Sequence, residues 1–98
     1  MATIPRVVSA TPAEDWQLVV CFDNGQERRY DCRSLLTRPE FFLLRTPAFF
    51  RAVRVDAGGY GVSWNDTIDL SEYELWTNGR PVPIAARAET CAPDSSAR

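Results

Sequence analysis

Histidine is absent from the 98-residue chain, and so is lysine, because all eleven basic positions are arginine. Without histidine, the side chain most used as a general base and metal ligand is missing. Thirteen acids against eleven bases give a formal net charge of −2, so composition supplies no general pull toward nucleic acid or an anionic membrane. No run approaches the ~18 apolar residues of a membrane span, and the N-terminus has no apolar signal-peptide core. Cysteine is scarce: Cys21, Cys32 and Cys91 are odd in number and follow no zinc or redox spacing. They read as free thiols in a reducing compartment, and the expected location is cytoplasmic. No internal repeat and no defensible domain boundary is visible, so one domain is expected over residues 1–84. The small, polar, unpatterned stretch 85–98 reads as a disordered tail.

What is present concentrates between Phe49 and Trp76. Val53 and Val55 alternate with Arg54 and Asp56, which lets one face of a strand be buried while the other stays wet. Ala57-Gly58-Gly59 supplies a tight reversal, and Tyr60, Val62 and Trp64 continue the alternation on a return strand in which Gly61 lets another backbone come close. Asn65-Asp66 marks a second turn before Ile68 and Leu70. Ser71 and Glu74 then have capping-box spacing, Leu70 and Leu75 sit at hydrophobic-staple positions, and Asn78-Gly79 with Pro81 stops the helix. A helix of two turns lies below the roughly 12 residues that stand alone in water, so it depends on packing through Leu75 and Trp76.

Earlier in the chain, residues 4–10 form an expected first strand, broken by Thr11-Pro12-Ala13-Glu14-Asp15. From Trp16 to Phe22 the alternation is clearest, with Trp16, Leu18, Val20 and Phe22 on one face; Val19 and Cys21 suggest that the other face is also partly covered. Asp23-Asn24-Gly25 is a strong hairpin signal leading into the partner strand 26–31. Asp31 can cap a helical turn through Leu36, and Pro39 and Pro47 each open a further turn. Phe41 to Leu44 and Phe49 make this region core rather than linker, and 80–84 reads as extended. The expected fold is α+β: a small antiparallel sheet built from two hairpins with short helices packed on it.

The order of signals, Trp16-Gln17-Leu18, Phe22-Asp23-Asn24-Gly25, Tyr30-Asp31, Leu35-Leu36, the run 49–55, Val62-Ser63-Trp64 and Asp69-Leu70-Ser71-Glu72-Tyr73-Glu74-Leu75, resembles the bacterial domain-of-unknown-function family 2442 over residues 4–80. The resemblance implies a compact α+β domain and is nearly silent on chemistry. Some members carry an added helix-turn-helix domain, which suggests transcriptional regulation; from these the chain departs by ending shortly after Trp76. Some family genes are arranged like toxin–antitoxin pairs, which implies a protein partner.

Candidate sites are few. Trp64, Tyr73 and Trp76 can anchor a partner, with core filling as the alternative, and Arg54 joins them as an interaction candidate or pairs with a carboxylate. Arg28, Arg29, Arg33, Arg38, Arg45, Arg51, Arg54 and Arg80 make a basic patch only if they converge. Asp66 and Asp69, flanking Trp64 and Tyr73, are the pair expected to line a polar pocket. Cys32 beside Arg33 at a helix start can have a lowered pKa, but no histidine stands ready to activate it. Asp23, Asp31 and Asp56 read as turn and cap residues, since no D-x-D-x-D-G loop is present. The leading expectation is a non-enzymatic interaction or regulatory module without cofactor or metal, the antitoxin-like half of a pair. Homodimerisation through exposed strand edges is a further expectation. Nucleic-acid binding through surface arginines is the alternative, followed by a small-ligand binder or enzyme using Asp66 and Asp69.

Overall fold

The structure, a computed structural model, describes residues 4–82. The expected tail at 85–98, with Cys91, lies outside the described residues. The strands form two antiparallel sheets. One runs in the order β1 (Val7–Ala13), β2 (Gln17–Phe22), β3 (Glu27–Asp31), β7 (Arg80–Pro81); the other in the order β4 (Arg54–Val55), β5 (Gly61–Ser63), β6 (Asp69–Ser71). The α+β class with hairpins and short helices is as the sequence predicts. The division into two sheets follows from the helical turns between β3 and β4, which carry the second set of strands away from the β3 edge and leave that edge to β7.

The first strand starts later and runs further than expected. It continues through Thr11, Pro12 and Ala13, which face Val19, Leu18 and Gln17. An edge strand tolerates the N–H that Pro12 lacks. Between Val7 and Ser9 the register slips, and the bulge turns Val8 outward. Trp16 is not part of β2: Asp15 and Trp16, at φ 61° and 62°, form the left-handed end of the turn into it. The second strand is buried from Leu18 to Phe22, so both of its faces are covered, as Val19 and Cys21 on its second face suggest. At the next turn Asn24 Oδ1 accepts from the Gln26 N–H at 3.0 Å, closing the expected hairpin into β3.

Residues 33–50 coil through two 3-10 turns, Arg33–Thr37 and Pro39–Arg45, and a single α turn, α1 (Pro47–Phe50). Cys32, not Asp31, is the N-cap of the first turn, which has no side-chain cap bond; Asp31 Oδ1 instead closes a local i→i+2 turn by accepting from the Arg33 N–H at 2.9 Å. Less of this region is core than its apolar content suggests. A 3-10 turn repeats every three residues, so Phe41 is half-buried and Leu44 buried, while Phe42, at 61% exposure, and Leu43 face outward; Leu35 and, in α1, Phe50 are the other buried side chains.

The second helix, α2 (Glu72–Asn78), joins the two sheets: it packs on β3, β5 and β6, and Leu75 is fully buried. Burying such a side chain stabilises by about 2 kcal/mol. Ser71 Oγ accepts from the Glu74 N–H at 3.1 Å, which is half of the expected capping box. The other half does not form: Ser71 is held opposite Gly61 in the β5–β6 ladder, and the Glu74 carboxylate instead accepts from the Tyr30 hydroxyl at 2.6 Å. Gly61 does permit a close approach, because a Cβ there would collide with the Leu70 carbonyl. Tyr60 does not share the inward face of Val62 and Trp64; it precedes β5, is exposed, and its ring lies 4.1 Å from the Arg6 guanidinium carbon.

Candidate interaction surfaces

The outward side of α2 carries the expected aromatic pair. Tyr73 and Trp76 are three positions apart, so they share a helix face. Tyr73 is 60% exposed. Trp76 is half-buried, with its ring edge-on to Phe22 at 5.1 Å and the Arg28 guanidinium carbon 3.7 Å above it. Arg28 Nη1 also donates to the Gly79 carbonyl at 3.3 Å, so the cation is held at both ends. Burial lowers the Arg28 pKa. Gly79 makes room for this arrangement: its φ of −76° needs no glycine, but a Cβ would collide with the Leu75 carbonyl and stand 3.1 Å from Arg28 Cβ.

Trp64 leaves the interaction set. It is 5% exposed, stacks on Phe50 at 6.1 Å, and its Nε1–H donates to the Phe50 carbonyl at 2.8 Å, all marks of a core residue. Arg54 is exposed on β4, opposite Ser63. Asp66 and Asp69 are both exposed, and none of the clefts lined by Pro12 and Trp16, by Ile4 and Arg6, or by Arg29 and Arg80 includes either of them. The turn is built by Asn65, whose Oδ1 accepts from the N–H groups of Thr67 and Ile68 at 2.9 and 2.8 Å, and this leaves the two carboxylates pointing to solvent-accessible positions.

Sequence reasoning missed two clefts. The first, of about 320 Å³, is lined by Pro12, Trp16, Pro47, Phe50 and Arg51 among others. Trp16 holds its wall in a left-handed conformation that costs a non-glycine residue roughly 1–2 kcal/mol. Its ring meets Phe50 edge-on at 5.3 Å and its carbonyl accepts from the Cys32 N–H at 2.9 Å. The acids at Glu14 and Asp15 signalled a turn, but nothing in the sequence marked Trp16 as part of it. The second cleft, of about 150 Å³, brings Gln17, Arg29, Asp31, Arg33, Asn78 and Arg80 together. Of the arginines weighed as a patch, these three converge. Arg33 grips Asp31 through Nε at 3.0 and 3.1 Å and Nη2 at 2.8 Å, which holds the Asp31 carboxyl below the usual carboxylate range and raises the Arg33 pKa. Arg29 Nη1 donates to Gln17 Oε1 at 3.4 Å.

Cys32 is fully buried, and burial, with the Asp31 charge beside it, pushes its thiol up to about 12. The activation expected from Arg33 fails because the thiol is buried next to the Asp31 carboxylate, to which that guanidinium is committed. Cys32 is free as expected. Among the described residues no cluster of three or more His, Cys, Asp or Glu converges on one point, and no helix is long and apolar enough to cross a membrane. Comparison with the curated proteins finds no match, and neither does comparison with the solved structures. The family model described as "Protein of unknown function (DUF2442)" matches residues 7–81, the span that holds both sheets and α2, and the chain belongs to that family.

Proposed function

We propose that the chain is a non-enzymatic interaction module that binds another protein through the outward side of α2. The observation that carries this reading is the patch of Tyr73, Trp76 and Arg28, in which a largely exposed tyrosine stands beside a tryptophan held between Phe22 and an arginine. Trp, Tyr and Arg are the residue types enriched where binding energy concentrates, and side chains already held in place lose little entropy on binding. Family resemblance supports the finer form, the regulatory, antitoxin-like half of a two-protein pair. A second copy of this chain is the other partner consistent with the patch. Free Cys32 supports a cytoplasmic setting.

The test is affinity capture of the tagged chain from its native lysate with nuclease present, repeated with Tyr73→Ala. A stoichiometric protein whose affinity falls by about tenfold or more in the variant supports the reading, since a hot-spot residue is worth more than 1 kcal/mol. A partner bound equally by the variant moves the interface elsewhere. Turnover of a substrate by the purified protein removes the non-enzymatic reading.

A further inference from the structure

Arg29 and Arg80 are direct register partners in the β3–β7 pairing, on the face of the sheet opposite to Tyr30 and Val20. Like charges placed opposite each other across an antiparallel pair are destabilising. Neither arginine forms a direct ion pair among the described residues: the carboxylate in the cleft, Asp31, bonds to Arg33 and feels Arg80 only at longer range. Among the described residues that line the cleft, three guanidinium charges stand against one carboxylate, an excess of two positive charges on a chain whose net charge is −2. Gln17 and Asn78 add carboxamide groups to the wall, and the Gln17 oxygen, by accepting from Arg29, turns its amide N–H₂ away from that bond. No aromatic ring lines the cleft to stack a base, and its volume of about 150 Å³ equals roughly five waters at ~30 Å³ each, room for one anionic group rather than a polymer.

We infer that this cleft, going beyond the interaction surface on α2, is a binding site for a single phosphomonoester-type oxyanion, held between the forks of Arg29 and Arg80. A phosphomonoester carries about −1.5 to −2 at neutral pH, which matches the residual charge of the cleft, and guanidinium groups recognise its oxygens bidentately. Arg33 is immobilised on Asp31 and forms a wall. The opposed pair of arginines is a charge arrangement that the fold alone does not reward, and a bound dianion relieves it.

The experiment is an amide NMR titration of the full chain with inorganic phosphate at constant ionic strength and neutral pH. Saturable shifts confined to the amides of Gln17, Arg29, Asn78 and Arg80 are expected, with half-saturation on the order of 1 mM for two charge-assisted hydrogen bonds. Arg80→Gln weakens binding by about tenfold or more while the melting temperature of the phosphate-free protein holds or rises. Phosphoserine reproducing the shifts assigns the site to esters, and a response to inorganic phosphate alone assigns it to the free anion. Shifts that do not saturate, acetate binding as tightly as phosphate, an oligonucleotide binding the same residues more tightly than phosphate, or a fall in melting temperature in Arg80→Gln would each overturn the assignment.

Discussion

The two faces of the sheet β1-β2-β3-β7 treat polar side chains in opposite ways, although the residues concerned are consecutive. In Arg28-Arg29-Tyr30 the pleat sends Arg28 and Tyr30 to the inner face and Arg29 to the outer. Inside, Tyr30 donates to Glu74, and Arg28 lies over Trp76 and donates through Nη1 to Gly79, with its Nε buried and unpartnered. Outside, Arg29 faces Arg80 with no direct ion pair for either among the described residues. The inner face is organised for stability and the outer one tolerates repulsion. The outer face is itself covered over Val19, Cys21 and Glu27, and only its end at Arg29 and Arg80 is exposed.

Substitutions can break or sharpen this contrast. The largest effect belongs to the inner side: Leu75→Ala, at the contact joining both sheets, is expected to cost about 3 kcal/mol in urea unfolding, against less than about 0.5 kcal/mol for Gln17→Ala on the outer face. Next comes Tyr30→Phe, which removes the hydrogen bond to Glu74 and costs about 1–2 kcal/mol. Burial and the bond to Glu74 raise the Tyr30 pKa above its ordinary value of 10.0, so the protonated phenol is favoured by folding. That contribution is complete below pH 10 and is lost as pH rises through the folded value; the wild type should therefore lose stability in strong alkali more steeply than Tyr30→Phe. Equal alkaline slopes for the two would show that Tyr30 is not the coupled group.

On the outer face Asp31 is expected to matter little. Its lowered pKa places its contribution above the ordinary value of 3.8, to be lost as pH falls through the folded value. Since the pair with Arg33 is exposed to solvent, Asp31→Asn should cost at most about 0.5 kcal/mol near neutral pH and flatten the acid side of the stability profile. The smallest effect has the opposite sign: Arg80→Gln, by removing one of two facing charges, should stabilise by a few tenths of a kcal/mol, roughly 0.3. A clear loss in the same urea measurement would mean that the outer face is as structurally committed as the inner one.

Local signals carried well where chain neighbours decide the outcome. Asn24-Gly25, Ala57-Gly58-Gly59, the Asn65 turn and the Ser71 cap all form, because each is a bond or a backbone preference within a few residues. Gly61 was legible as a close approach for the same reason, a missing Cβ in a strand pattern. Where a side chain had a choice of partners, sequence was silent. Glu74 at capping-box spacing goes to Tyr30, forty-four positions away, and Cys32 beside Arg33 is not activated because it is buried next to the Asp31 carboxylate, to which Arg33 turns. Of the expected sites, Tyr73 and Trp76 lie on one helix face and Trp64 does not join them. The arginine cleft could not be read in advance, since Arg29 and Arg80 are fifty-one positions apart and meet only through a two-residue strand.

Sequence alone determined the class of the fold, the hairpin turns and the boundaries of α2, since these rest on backbone preferences, side-chain period and short-range hydrogen bonds. Tertiary structure decided that the strands divide into two sheets, that β7 rather than a neighbouring hairpin takes the β3 edge, and that Trp16 bends into a left-handed turn. It also decided which charges are paired and which are left facing one another. Those outcomes depend on distances between residues remote in the chain, and charge, burial and hydrogen bonding act through distance in space, which sequence order does not encode.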